Sequence, residues 1–453
     1  MGTRHEEKKF YRLPVLFLRK VSSSLYFLPA SITLLSVAVA LVASGFEQTH
    51  SLSGWFPDLW WSDQDSAREF LSTSAGVMIT ITGVAFSVVV VALTLASNQF
   101  CPRVLTRYVE NRVNRLVFGV LTGNFAFALT LLATQQKNPE NLPGLSLTLC
   151  FLFDLASTIV FIYFIHHTAT SLQVDNLVAD IRQATLRNIA KLKSEEADPV
   201  LLGPANSATD LIPMLGCESR FTAAQNGYVE AVRLEDLISI SARVGEPIEV
   251  LTGLGDWVTP ETACIKPLKN EVDDELIESI QACFEVGDSR RLDLDISYGF
   301  REIVDIALKA VSPAVNDPTT AVMCLNNLGT MMEALCRGGW PPVALFGSDE
   351  EGRGSVRFYG NGPEDYLRLV TEQLTVHVVN APRLAVALMH WLCRLALQLD
   401  DESWRQALRE RAEAVWLTAQ EGNFEERWYQ LLTEYREQLE RLIDTGCAMM
   451  QRE

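Results

Sequence analysis

The first part of the chain alternates long apolar runs with short polar segments. The longest run, Leu71 to Pro102, contains no charged side chain, and it exceeds the roughly 20 helical residues that cross a lipid hydrocarbon core of about 30 Å. Its core lies near 74–97, and further apolar runs lie near 23–46, 116–135 and 143–166. The pattern predicts four transmembrane helices, and we expect the others to pack around the 71–102 helix.

The charged residues between these runs predict the orientation of the spans. The loop after the first span has Arg68 among several acidic residues, and the loop after the third has only Lys137. Most basic residues lie instead in the N-terminal tail and in the loop after the second span: Arg4, Lys8, Lys9, Arg12, Arg19 and Lys20, then Arg103, Arg107, Arg112 and Arg115. Because basic segments stay on the cytoplasmic side, both termini are predicted to be cytoplasmic.

The second span carries small and hydroxyl-bearing residues on an otherwise apolar helix. Residues of this kind permit close helix contact or hydrogen bonds across a helix interface. We expect this face to point inward, toward a pore or another helix, and its residues are Thr80, Thr82, Gly83, Ser87 and Thr94.

The third span contains a motif for close helix contact. Gly119 and Gly123 form a G-x-x-x-G pattern, whose small residues let two backbones approach. The contact is expected either with another helix of the chain or with a second copy. The adjacent Asn124 needs a hydrogen-bond partner, which also favours an interior position.

Asp154 is the most unusual residue of the fourth span. It lies near the middle of the span, where a lone carboxylate costs about 2.5–3.5 kcal/mol. Bonding to Ser157 or Thr158 on the next helical turn would satisfy it as a packing residue. Alternatively it lines an ion path, and the sequence leaves both interpretations open.

The segments after the fourth span predict a second region with a different organisation. Residues 171–198 continue the helical spacing of apolar positions, which predicts an amphipathic helix that prolongs the span. After a linker rich in Pro, Gly and Ser, short apolar runs within 210–268 predict a small β-rich unit. This unit is similar to the sandwich of biotinyl and lipoyl carrier domains, with a hairpin turn predicted at Gly255–Asp256.

Residues 269–453 are predicted to be mostly helical, with a helix over 274–284 and a hairpin formed by 343–346 and 355–359. The predicted fold is therefore a cytoplasmic tail (1–22) and a membrane α-helical domain of four transmembrane helices (23–170). A cytoplasmic α+β region follows, with a small β-sandwich-like unit and a mostly helical C-terminal part.

The most distinctive motif of the C-terminal part is Ser312-Pro-Ala-Val-Asn-Asp-Pro-Thr-Thr-Ala321. Pro313 ends one helix, and Asp317 followed by Pro318 provides the N-cap and first-turn proline of the next. Helix N-termini also bind anions, and Arg301 would then add positive charge nearby. Capping and ligand binding both fit, and the candidate residues are Arg301, Asp305, Asn316 and Asp317.

Composition limits the classes of partner. The net charge of −18 comes mainly from acidic residues after residue 190, which argues against a nucleic-acid partner. The 9 cysteines include no C-x-x-C pair, which is typical of reduced thiols and not of a disulfide framework or a zinc site.

The sequence contains no recognised catalytic or cofactor motif. None of the 6 histidines has metalloprotease or deaminase spacing, and P-loop, nucleophile-elbow and Rossmann patterns are absent. Three acids, Asp293, Asp295 and Asp305, are candidates for a cation site, but Asp293 and Asp295 fit equally well as helix-capping residues. We therefore expect no cofactor and no enzymatic activity.

Four long motifs, in order along the chain, identify a family resemblance. They begin at Ala75-Gly-Val-Met-Ile-Thr-Ile-Thr-Gly83, Leu95-Ala-Ser-Asn-Gln-Phe-Cys-Pro-Arg103, Ile162-Tyr-Phe-Ile-His-His167 and Gly299-Phe-Arg-Glu-Ile-Val-Asp305. The last continues through the 312–321 motif. The chain resembles the bacterial predicted membrane proteins grouped as domain of unknown function 2254, which implies a multi-pass inner-membrane protein. That family provides no activity and no catalytic residues to carry over.

These features favour a homo-oligomeric ion channel or transport-like protein in the lipid bilayer, with a cytoplasmic assembly or gating domain. Four spans are too few to enclose a wide path alone, so a pore requires several copies. The alternative is a membrane-anchored sensor or scaffold that binds a cytosolic protein partner.

Overall fold

The computed structural model describes residues 26–49, 64–99, 112–137, 144–194, 221–266, 268, 273–290, 295–338, 344–349, 352–358, 361–398 and 402–445. The chain divides between Gln173 and Val174 into two compact units, which we call the N-terminal unit and the C-terminal unit. The predicted tail (1–22), the linker around 198–216 and most of the basic residues used to predict orientation lie outside the described residues.

The described part of the N-terminal unit consists of four helices: α1 (Phe27–Thr49), α2 (Gln64–Gln99), α3 (Arg112–Lys137) and α4 (Gly144–Ser171). Each is long and apolar enough to cross a membrane, which confirms four long apolar helices where the sequence predicts spans. Helix α2 is longer than predicted, because the polar residues from Gln64 onward extend it before the apolar run begins.

The central helix of this unit is α3, and not α2 as the sequence predicted. Helix α3 packs against each of α1, α2 and α4. In its most apolar stretch 44% of the residues are buried, against 17–22% in the other three helices. The physical reason is that the charge-free run of α2 can face lipid, since its exposed hydroxyls bond carbonyls of their own helix. The glycines of α3 instead pack against α1, and its Asn124 gains hydrogen-bond partners by being enclosed.

The G-x-x-x-G motif of α3 packs against α1 of the same chain. A Cβ atom added to Gly119 would lie 2.6 Å from Ile32 Cδ1 and 3.2 Å from the Cα of Pro29, and one added to Gly123 would lie 2.7 Å from Ser36 Oγ. Between them, Thr122 Oγ1 shares a 2.9 Å hydrogen bond with Thr33 Oγ1 of α1. The observed contact of this motif is therefore intramolecular.

The ends of α1 and α4 are joined by one carboxylate. Glu47 accepts hydrogen bonds from the backbone N–H groups of Leu145 and Ser146 and from the Ser146 hydroxyl. These N–H groups belong to the first turn of α4 and have no partner within the helix, so Glu47 acts as a cap supplied from another helix.

The C-terminal unit contains nine further helices and six strands among the described residues. The helices are α5 (Val174–Ser194), α6 (Leu234–Val244), α7 (Asp274–Gln281), α8 (Ile296–Val311), α9 (Pro318–Gly338), α10 (Pro363–Val376), α11 (Pro382–Ala396), α12 (Glu402–Gln420) and α13 (Glu426–Thr445). The strands are β1 (Gly227–Val232), β2 (Ile248–Val250), β3 (Trp257–Val258), β4 (Phe284–Gly287), β5 (Ala344–Asp349) and β6 (Gly352–Phe358).

The amphipathic helix predicted to prolong the fourth span is a separate element. Helix α4 ends at Ser171 and α5 begins at Val174, so the helix is interrupted at Leu172 and Gln173. Helix α5 packs against α8 and α9, which places its apolar face in the C-terminal unit.

The strands form two small sheets, in the orders β3–β1–β4 and β2–β6–β5. Both sheets contribute to one hydrophobic core with α6 and α7, which includes Val229, Leu237, Ile248, Ile280 and Val356. The predicted sandwich within 210–268 is not confirmed, because strands from 284–287 and 344–358 complete both sheets.

Two local predictions in this region have different outcomes. The β5–β6 hairpin is confirmed, with Ala344 opposite Arg357 and Asp349 opposite Gly352. The hairpin at Gly255–Asp256 is wrong: Gly255 makes a tight turn with φ of 82°, but the flanking β2 and β3 belong to different sheets. Similarly, the helix predicted over 274–284 ends at Gln281, and Phe284 begins β4.

The remaining helices form the mostly helical part of the unit. Helix α8 packs on α9 and α10, α9 on α11, and α11 on α12 and α13. Large side chains fill these contacts, and Phe300, Trp391 and Trp404 are among the most completely buried.

Candidate functional site

Two of the sequence-predicted residues, Asn124 and Asp154, meet inside the N-terminal unit. Asn124 Nδ2 donates to Asp154 Oδ1 at 2.9 Å and to Ser157 Oγ at 3.1 Å. Ser74 Oγ of α2 donates to the same carboxylate oxygen at 2.8 Å. These four residues, which we call the polar cluster, join α2, α3 and α4 by hydrogen bonds.

The polar cluster is buried but incompletely satisfied. Asn124, Ser157 and Ser74 are 3%, 1% and 5% exposed, and Asp154 is half-buried. The carbonyl oxygen of Asn124 is buried and accepts no hydrogen bond from the part of the chain that the structure describes. Both hydrogen bonds to Asp154 end on Oδ1, so the cluster retains acceptor oxygens that no described donor satisfies.

Two apolar layers enclose the polar cluster along the helices. The first layer includes Leu71, Phe127, Leu131, Leu147 and Cys150, and the second includes Ala85, Val89, Val117, Leu121 and Phe164. On α3, Asn124 lies between residues of the two layers, and so do Asp154 and Ser157 on α4. The polar cluster therefore lies between two apolar layers of the bundle, which separate it from both ends of α3 and α4.

The hydroxyl-bearing face of α2 does not line the interior of this bundle. Thr80, Ser87 and Thr94 are exposed, and Thr82 is partly buried. Each hydroxyl donates to the carbonyl four residues earlier in the same helix, which satisfies it without a partner helix. Gly83 is also exposed, and a Cβ added to it would meet no atom within 4 Å.

Of the partners that the sequence suggested for Asp154, neither bonds its carboxylate. Ser157 bonds Asn124, and Thr158 Oγ1 donates to the backbone carbonyl of Asp154. The carboxylate instead accepts from Asn124 and Ser74, and sequence reasoning missed Ser74. The signal for it was the spacing of Ala67, Leu71 and Ala75, which marks the buried face of α2 that Ser74 shares.

In the C-terminal unit, the 312–321 motif forms a helix cap. Asp317 Oδ1 accepts hydrogen bonds from the N–H groups of Thr319 and Thr320, and Oδ2 accepts one from the Thr320 hydroxyl at 2.6 Å. Asn316 has a φ of 49°, a left-handed conformation that asparagine tolerates. Structural capping accounts for both residues.

Arg301 does not lie beside this cap. It lines a cavity of about 310 Å³ with Asp365, Tyr366, Arg368 and Glu372. Helix α8 continues from Arg301 to Val311, which separates Arg301 from the cap by roughly 15 Å of helix. Asp305 is partly buried on the same helix. The four predicted residues are thus not brought together into one anion site.

We predict that Asp317→Ala destabilises the C-terminal unit by about 1 kcal/mol, because the first turn of α9 loses its cap, whereas Asp317→Asn retains most of it. The hydrogen bonds from Thr320 lower the pKa of Asp317 below its usual value of 3.8. Its contribution is therefore present above the unfolded pKa and is lost as the pH falls through the lower, folded pKa. Urea unfolding of the full-length protein against pH measures both effects, and an alanine variant with wild-type stability at neutral pH would contradict them.

A second charged cluster lies where α8 begins. Asp295, confirmed as the N-cap of α8, is 5% exposed and accepts from Tyr298 N and Ser297 Oγ. Arg290 donates from Nε at 2.9 Å and from Nη2 to Asp295 Oδ2, and also to Ser297 Oγ at 2.7 Å. Partial desolvation by the surrounding protein raises the pKa of nearby Asp256, although its side chain is exposed, and Arg290 opposes that rise. Sequence reasoning missed Arg290, and Asp293 lies outside the described residues.

Other kinds of site have little support in the described part of the chain. No group of three or more His, Cys, Asp or Glu side chains among those residues has the geometry to hold a metal ion. The cysteines that the structure describes are free thiols, and most of them are buried. The polar cluster is thus the arrangement whose burial and unsatisfied oxygens most require a chemical explanation.

Comparison with known proteins gives one family and several relatives. A family model described as "Predicted membrane protein (DUF2254)" matches residues 22–394. The uncharacterised proteins Rv1290c of Mycobacterium tuberculosis and Mb1321c of Mycobacterium bovis are each 28% identical over 371 residues, which cover 78% of this chain and 68% of theirs. No solved structure shows a significant match.

Proposed function

The chain belongs to the DUF2254 family of predicted membrane proteins, and we propose that it is a homo-oligomeric ion channel or transport-like protein. In this proposal it lies in the bacterial inner membrane with both termini in the cytoplasm, and the C-terminal unit serves as an assembly or gating domain. No catalytic role is proposed for any residue.

The observation that carries the proposal is the polar cluster. A carboxylate at the depth of Asp154 is costly, and intramembrane acids of this kind mark ion or proton pathways. Its hydrogen-bond partners, Ser74 and Asn124, are neutral, so no described basic side chain compensates its charge. A purely structural role would be served equally well by an asparagine, which brings no charge into the bundle.

The apolar layers close the path past Asp154 within one bundle, so ion movement requires the helices to shift, and contact between several copies is proposed to permit that shift. The outer face of α2 suits contact with a second copy. Its small residues recur every seven positions and therefore lie along one side of the helix. Gly76 and Gly83 form one such line, and Thr80, Ser87 and Thr94 form a neighbouring one. Neither glycine has an atom within 4 Å of an added Cβ, and such a stripe permits close helix packing.

Ion flux into liposomes tests this proposal. Purified full-length protein is expected to pass monovalent cations, and Asp154→Asn is expected to reduce the flux at least tenfold. Asp65→Asn, the same change at an exposed acid on α2, is the matched control and should retain the flux. Gly83→Val is expected to weaken self-association in detergent without unfolding the bundle.

A different outcome would support the alternative function. Protein that is monomeric and passes no ions under changes of voltage, membrane tension and pH would contradict the channel proposal. If cross-linking of such a protein also recovered a stoichiometric cytosolic partner, a membrane-anchored sensor or scaffold would be the better assignment.

A further inference from the structure

We propose that the polar cluster binds one small monovalent cation, a proton or a sodium ion, with the carboxylate of Asp154 and the amide carbonyl of Asn124 as its main ligands. The inference deepens the proposed function, since it names the kind of ion and the residues that hold it. It can nevertheless be tested by binding alone.

The first argument is the chemistry of the unsatisfied atoms. Asn124 is 3% exposed, and its carbonyl oxygen has no hydrogen-bond donor among the described residues. Leaving such a buried group unpaired destabilises the folded bundle. Asp154 Oδ2 likewise accepts no hydrogen bond from the described residues, because both donors bind Oδ1. The unsatisfied amide oxygen and the second carboxylate oxygen thus belong to two side chains that contact each other through the Asn124 Nδ2 group.

The second argument is the type of ligand. The Asp154 carboxylate, the Asn124 carbonyl and the hydroxyls of Ser74 and Ser157 are all hard oxygen groups. Such groups favour hard cations over the transition metals that histidine and cysteine bind. The nearest sulfur, Cys150 Sγ, lies 3.7 Å from the Ser74 hydroxyl and is a weak ligand for these ions.

The third argument is charge balance. The cluster contains one acid, and the layers on both sides are apolar. One monovalent cation makes the site neutral, whereas a divalent ion would leave a net positive charge in a medium that solvates it poorly.

Because the residues of the polar cluster come from three helices, binding of a cation can affect how these helices pack. Ser74 is on α2, Asn124 on α3, and Asp154 and Ser157 on α4. A cation held by Asp154 and Asn124 adds a link between α3 and α4, so the folded bundle should become more resistant to heat as the ion concentration rises.

The experiment measures binding on purified full-length protein in detergent. Thermal unfolding is followed while sodium chloride replaces choline chloride at constant ionic strength, and infrared spectra are recorded across a pH series in choline chloride. If sodium is the ligand, the melting temperature rises and saturates with sodium. If the proton is the ligand, sodium has no specific effect, and a protonated-carboxyl band is present at neutral pH, where exposed aspartates are ionised.

Three variants assign the effect to the cluster. Asp154→Asn is expected to abolish the sodium response or remove the infrared band, and Asp65→Asn to leave both unchanged. Asn124→Ala, which removes the carbonyl and keeps the acid, is expected to weaken sodium binding roughly tenfold, equivalent to about 1.4 kcal/mol. It also provides an independent test if Asp154→Asn does not fold.

The outcomes separate this inference from the proposed function. A wild-type protein with neither a sodium response nor a carboxyl band lost in Asp154→Asn would overturn the cation site. If such a protein still passed ions in liposomes, the cation site would be contradicted and the channel proposal would be retained. Binding without flux would retain the cation site and contradict the channel proposal.

Discussion

Replacement of Arg290 by methionine is expected to destabilise the C-terminal unit by about 3 kcal/mol, because it removes one partner of a buried ion pair. Asp295 is 5% exposed, so water cannot take the place of the guanidinium. Two hydrogen bonds to Asp295 Oδ2 and one to Ser297 are lost together. The helix cap formed by Asp295 Oδ1 remains, which is why we expect weakening of the unit and not complete unfolding.

Hydrogen exchange of the full-length protein in detergent measures this effect through peptides of α8. The matched control is Arg337→Met, since Arg337 pairs with Glu333 at 3.8 Å and is 72% exposed. Pairs of that kind contribute about 0–1 kcal/mol. Equal changes in hydrogen exchange for the two variants would show that the Arg290–Asp295 pair stabilises the unit no more than an exposed ion pair does.

The same substitution has a consequence for pH dependence. Partial desolvation raises the pKa of the exposed Asp256, and the positive charge of Arg290 opposes the rise, so Arg290→Met should raise this pKa further. When the folded pKa of a carboxyl group exceeds its unfolded pKa, the free energy of unfolding falls as the pH rises from the unfolded to the folded value. The difference in stability between variant and wild type should therefore grow as the pH rises from the folded pKa of Asp256 in the wild type to its higher folded pKa in the variant, and it should be constant above that.

Replacement of both Gly119 and Gly123 by valine is expected to produce the largest loss of stability in the N-terminal unit. An added Cβ at Gly119 meets the backbone of Pro29 at 3.2 Å, and one at Gly123 meets Ser36 Oγ at 2.7 Å. Overpacking of this kind costs about 1–3 kcal/mol per site. The separation of α1 from α3 should also break the hydrogen bond between Thr33 and Thr122.

Thermal unfolding in detergent measures this change, and Gly45→Val is the control. Gly45 lies on α1, and a Cβ added there meets no atom within 4 Å. The double variant should unfold at a clearly lower temperature than the control. A double variant that kept its melting temperature but lost self-association would instead assign the motif to an interface between copies.

The hydrophobic pattern was sufficient for the four long helices, because length and absence of charge alone identify them. It was insufficient for their arrangement. The apolar character of α2 suggested a central position, whereas solvation by lipid makes that character compatible with the outside. The residues that decide burial in such a bundle are small ones, and the alanines at 67, 75, 85, 92 and 96 mark the packed face of α2.

The candidate site was only partly accessible to sequence reasoning. Asn124 and Asp154 are conspicuous one at a time, since a polar side chain in an apolar span needs a partner. That they are partners of each other depends on the rotation of α3 and α4 about their axes, which periodicity does not specify. The only signal for Ser74 was its place on the small-residue face of α2, and that signal is weak because a serine can satisfy itself within its own helix.

The pairing of the strands could likewise not be predicted, because it joins residues that are distant in the sequence. Strand propensity indicated β1, β2 and the β5–β6 hairpin, yet the parallel pairing of β2 with β6 joins residues 248–250 to 356–358. Local pattern contains no information about such a partner. Arg290 and Asp295 likewise acquire their importance only when α8 is packed into the fold.

The cap that Glu47 provides for α4 has a consequence for biosynthesis. Its hydrogen bonds join residues 98 and 99 positions apart, so they form only after the fourth helix has been made. Until then the exposed carboxylate leaves the end of α1 without this anchor, although α1 and α3 can already meet through Gly119 and Gly123. The order of synthesis therefore allows the first and third helices to pair before Glu47 can cap the fourth.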